Sequence, residues 1–212
     1  LSCAPVAQEP VTLSLAARAD LPEEMLTVAG VVRFRRAELA LGPALFWATA
    51  AAGADQCDTP LLEATSTGLV NLLDPLNQVV APVEGVTGTV RSMQYDHGIP
   101  WLLTDPLPRA RKGAPGGHSL VLEGDVVDGE ETLAFTVRVD VVSNRRGESA
   151  VTFLPTGAQV TTKTRRVTMV LPAQRWVSSV DFAAVAAEAR LSQGIADVGP
   201  DHPAVRAVPV MM

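Results

Sequence analysis

"HSLVLEGDVVDGEETLAFTVRVDVV" (residues 118–142) decides the fold. Two apolar runs meet at Asp128-Gly129, residue types that tolerate positive φ and mark a tight hairpin. In the second run Leu133, Phe135, Val137, Val139 and Val141 share one parity. Thr132, Thr136, Arg138 and Asp140 share the other. A period of two is the signature of a half-buried strand, with one face in a core and one in water.

Working outward, the same period recurs. "VTLSLAA" (11–17) places Val11, Leu13 and Leu15 on one side. "LTVAGVVRFRRAELAL" (26–41) does so with a phase flip: Val32 and Phe34 share a face, then Ala37, Leu39 and Leu41 take the opposite parity. An extra residue in one strand, a β-bulge, produces that flip. Arg33, Arg35 and Arg36 sit at the flip and read as a solvated edge rather than an anion site. Further strands are expected at "LVNLL" (69–73), "GVTGTVRSMQYD" (85–96), "SAVTFL" (149–154) and "RRVTMVLP" (165–172), with a turn at "NRRGE" (144–148). Residues 53–68 read as loop. Asp181 is placed to cap a helix over 182–191, stopped before Gly194. A helical turn is expected at 201–208, with Asp201 as cap and Pro203 in its first turn.

Many short strands at about ten-residue spacing, with no βα alternation, predict a mainly β fold: an antiparallel β-sandwich with one or two short C-terminal helices. Residues 1–10 read as a linker and 11–212 as a single domain. Its helical C-terminal segment is 181–208. Its long loop, 97–117, carries four prolines and is the expected binding surface.

Composition narrows the function classes. The 212-residue chain is 47% hydrophobic with a formal net charge of −6, the balance of a globular protein. That charge argues against a nucleic-acid partner. No apolar run reaches the roughly 20 residues of a membrane-spanning helix. The first residue is Leu, as expected of a chain whose secretory signal has been removed.

Candidate sites are few. Asp96, His97 and His118 lie at the two ends of the long loop and meet if it closes on itself. Imidazole and carboxylate suit copper or zinc, although no HExxH or CxxC spacing accompanies them. Otherwise no cofactor is expected. Tyr95 and Trp101 are the aromatic candidates for ligand contact. Trp101 reads either as an exposed contact or as a pin holding its loop to the body. Trp176 is expected to pack in the core against the helix. Glu123, Asp125, Asp128, Glu130 and Glu131 crowd the hairpin, but their pattern does not match a calcium loop and reads as a solvated face. There is no G-x-S-x-G elbow, and Ser119 beside His118 is adjacency only, so no enzyme is expected.

The order of "VRFRRAELAL", "GLVNLLDP", "VTGTVRSMQYD", the 118–142 hairpin and "RWVSSVDFAAV" resembles that of uncharacterised lipoproteins of myxobacteria and other deltaproteobacteria. It also resembles bacterial lipoproteins with a prealbumin-like or immunoglobulin-like β-sandwich. The resemblance covers roughly residues 11–190 and carries no catalytic residue. It implies export, a lipid anchor and an envelope protein or surface ligand as partner, with membrane contact only through an acyl group at Cys3. "LSC" (1–3) matches a lipobox in part. Cys3 is therefore an acylation site, one half of a disulfide with Cys57, or neither. The location follows from which: the outer membrane for an acylated chain, the periplasm or exterior for a disulfide-bonded one.

Overall fold

A computed structural model describes residues 8–49 and 59–206. The chain is mainly β, with two sheets, mostly antiparallel, and two short helices toward its C-terminal end. Its strands begin with β1 (Pro10–Ala19), β2 (Glu24–Thr27), β3 (Gly30–Leu41), β4 (Ala44–Trp47), β5 (Pro60–Ala64), β6 (Gly68–Asn71), β7 (Gln78–Val86) and β8 (Gly88–Tyr95). After the long loop come β9 (Leu120–Asp128), β10 (Glu131–Val139), β11 (Val151–Val160), β12 (Arg166–Leu171), α1 (Ala173–Val177), α2 (Phe182–Leu191) and β13 (Ile195–Val198). One sheet has the order β11-β8-β4-β5-β7-β1-β12. The other has the order β13-β10-β9-β3-β2, with β6 also on β3. The inward parities of both sheets join one hydrophobic core.

The hairpin β9–β10 is central to the second sheet. Asp128 pairs with Glu131, so the two-residue loop is Gly129 and Glu130, one position later than the sequence reading. Only Gly129 has positive φ (61°), the pattern of a turn with glycine first. All five residues assigned to the inner face of the second run are buried.

The phase flip is a bulge. The β3–β9 register slips between Phe34 and Arg36, leaving Arg35 as the extra residue. The three arginines are exposed, as expected, but β3 is not an edge: β9 flanks it on one side and β2 and β6 on the other. Each arginine meets a carboxylate. Arg33 pairs with Glu24, Arg35 with both oxygens of Asp125, and Arg36 with Glu38 and Glu123. Two of the five acids of the hairpin cluster, Glu123 and Asp125, are thus the counter-charge of the bulge. Asp128 and Glu131 pair with Arg190 of α2.

Helix α2 begins and ends where its sequence signals place it. The Asp181 carboxylate accepts from the amides of Ala183 and Ala184 at 3.1 and 3.2 Å, a cap worth about 1 kcal/mol. Buried Phe182, Val185, Ala186 and Ala189 recur at i, i+3, i+4 and i+7, one helix face. Phe182 closes an edge-to-face trio with Phe34 and Phe135.

Other expectations need correction. β1 starts inside the supposed linker, at Pro10. Residues 53–68 were read as loop but include β5. β7 carries Pro82, which masks a strand. β5 pairs β7 only at Gly85 and Glu84, so the missing N–H of Pro82 falls where β5 has no register partner. α1 and the parallel strand β13 went unread. Residues 201–206 form turns rather than a helix. Cys3 and Cys57 lie outside the described residues.

Candidate functional site

A cavity of about 700 Å³ opens between the two free edges of the seven-stranded sheet. β11 contributes Leu154 and Thr156, and β12 contributes Val167, Met169 and Leu171. Along β12 these three share the inward parity, and burial alternates with it. Phe46 of β4 and Val90, Met93 and Tyr95 of β8 also line it. Trp176 of α1 closes one end. Asp20, Gln174 and Arg175 form a polar, exposed margin. The Asp20 carboxylate accepts from the amide of Ala173, which fixes the first turn of α1.

The β11 edge is irregular. Its register on β8 slips twice, Phe153 has φ 55°, and Pro155 follows. Bulges and proline are devices that stop an edge from recruiting another strand.

At the inner wall stands His97, with no exposed surface. The backbone of 96–98 is knitted to Gly42 and Pro43 by three hydrogen bonds, which carry the imidazole inward. Nδ1 lies 3.0 Å from the Ala40 carbonyl. A carbonyl only accepts, so Nδ1 carries the proton and Nε2 is left as an acceptor. Among the described residues Nε2 has no hydrogen-bond partner. Burial holds the imidazole neutral, lowering its pKa from 6.5 to about 4. The rings of Tyr95 and Trp176 meet it edge-on at 5.1 and 4.3 Å. Burial pushes the Tyr95 hydroxyl up to about 12. Tyr95, buried, is part of the cavity wall.

The candidate metal set does not assemble. Asp96 accepts from the amide of Ala150 at 2.8 Å, tying the loop to the start of β11. Burial raises its pKa against the lowering effect of that bond, of Ser149 and of Arg111. His118 Nδ1 is 2.9 Å from the Asp140 carboxylate. Among the described residues no three His, Cys, Asp or Glu side chains converge on a point that could hold a metal ion.

Trp101 is half-buried. Its indole donates to the Asp105 carbonyl at 3.2 Å, and its own carbonyl accepts from Gly147 at 2.7 Å. The long loop is thus tied down at its stem, and the cavity lies elsewhere. The sequence names Tyr95 for ligand contact and His97 as a metal ligand, and leaves Val167, Met169 and Trp176 out of any site. The parity of "RRVTMVLP" marks Val167 and Met169 as inward, but nothing in it marks the space they face. Among the described residues no helix is long and apolar enough to cross a membrane. A scan against protein-family models, a search of curated proteins and a search of solved structures each return no match.

Proposed function

We propose that this chain is a non-enzymatic binding module of the cell envelope whose ligand is an apolar molecule held between β11 and β12. The observation that carries the reading is the cavity itself. Its volume of about 700 Å³ falls within the roughly 300–1,000 Å³ of small-molecule sites, and its walls combine aliphatic and aromatic side chains with few polar groups. His97, fully buried, backs the wall that Tyr95 and Trp176 form. Placement in the envelope rests on the resemblance to exported lipoproteins and on Cys3, and an acyl group there would set the location.

The test uses N-phenyl-1-naphthylamine, a neutral apolar fluorophore with one N–H. The reading expects saturable fluorescence enhancement with the 212-residue chain. Val167→Trp, which fills the cavity from β12, abolishes it while the melting temperature is kept. No enhancement, or equal enhancement with Val167→Trp, overturns the reading.

A further inference from the structure

The tip of the long loop is a different surface from the cavity, and its chemistry points elsewhere. Leu103 and Leu107 are 72% and 68% exposed, and Leu102 is 41% exposed. They crown a closed loop: Arg109 donates its amide to the Pro100 carbonyl, and Arg111 to that of Gly98. The 144–148 turn docks beside it through Gly147 and Trp101, and Leu103 lies over the bare α-carbon of Gly147. The tip and the docked turn also carry Arg109, Arg145 and Arg146, all exposed, while Arg111 and Lys112 lie at the loop's stem beside Thr65, Ser66 and Thr67. The acids of the two segments that are exposed or half-exposed are Asp105 and Glu148, and Glu148 is already 3.6 Å from Arg145. Among the described residues Arg109, Lys112 and Arg146 have no carboxylate within salt-bridge distance.

The arrangement runs against the chain as a whole, which has 23 acidic and 17 basic residues. Exposed leucines at a loop tip, with the unpaired cations Arg109 and Arg146 on the same two segments, match one kind of surface: apolar beneath and anionic at its face. We propose that the 100–109 tip and the 144–148 turn together form a docking surface for an anionic phospholipid bilayer. The leucines enter the acyl boundary while Arg109, Arg145 and Arg146 remain at the phosphates. An acidic protein would satisfy the cations but gives no reason for three leucines to stay uncovered among them.

The experiment uses the 212-residue chain without any acyl group, mixed with vesicles of phosphatidylcholine alone or of equimolar phosphatidylcholine and phosphatidylglycerol. Sedimentation with the anionic vesicles only, weakened by salt, is expected. R109E/R146E lowers that partitioning by more than about tenfold, at roughly a kcal/mol per cation. L103D/L107D also lowers it by about tenfold or more. Both pairs are exposed, so circular dichroism and melting temperature stay at the parent values. The proposal is overturned if the chain stays in solution with anionic vesicles, or if it sediments as well after L103D/L107D as before. Retention of the wild-type tip by an acidic protein with no vesicle binding also overturns it.

Discussion

Taking the solution from about pH 8 to about pH 5 should cost this fold roughly 2 kcal/mol through His97 alone. The imidazole is held near 4 in the folded chain and returns to 6.5 when unfolded. Between those values the unfolded chain binds a proton at this site and the native chain does not. The unfolded state therefore takes up more protons, and stability must rise with pH through the window. The His97 contribution is fully present above about pH 6.5 and is lost as pH falls toward about 4, with a slope of about 1.4 kcal/mol per pH unit and a total of about 3 kcal/mol. Urea unfolding followed by tryptophan fluorescence, repeated across this range, measures it. His97→Gln is the control, since its amide can still donate to Ala40 and does not titrate. Asp96, whose pKa burial raises, contributes with the opposite sense at low pH, but it is present in both proteins and drops out of the difference. A wild-type curve parallel to that of His97→Gln across the window would refute the buried, neutral imidazole.

Two further outcomes follow from the same geometry. Tyr95 is the sole tyrosine, so tyrosinate absorbance reports it alone. Its midpoint is expected near 12 in the folded chain and near 10 in urea, with stability lost as pH rises between the two. A folded midpoint near 10 would show an exposed phenol. Gly124→Ala places a β-carbon 2.0 Å from the Arg33 carbonyl and 3.0 Å from the Phe135 ring, at the bulge. It is expected to cost about 3 kcal/mol in a urea titration, and a loss below about 1 kcal/mol would contradict the close packing of β3 on β9.

How far the fold could be read in advance depended on whether each signal was local. The hairpin, the bulge at Arg35 and the α2 cap are legible because parity, a phase slip and an Asp before an alanine-rich run each act within a few residues. β7 was hidden by Pro82, whose harmlessness depends on where β5 stops. β13 is four residues paired in parallel to a distant strand, so its pattern alone is too short to declare it. His97 looked like a loop ligand because glycine and proline around it speak of chain flexibility. Its burial comes from the backbone bonds to Gly42 and Pro43, more than fifty residues earlier in the chain. The cavity was the least legible, since its walls come from β4, β8, β11, β12 and α1, and no stretch of sequence contains it.

The two long walls of that cavity stand at opposite ends of one seven-stranded sheet. The sheet therefore bends round like an unfastened cuff, and the gap between its ends is set by the sum of the rotations at every junction along the way. A few degrees gained at β5 or β7, far from any wall residue, widens or narrows the opening. On the proposed binding reading, selectivity for the size of a guest would be a property of the whole cuff. A guest touching both ends would then act as its clasp, converting an open ribbon into a closed hoop and stiffening strands it never meets.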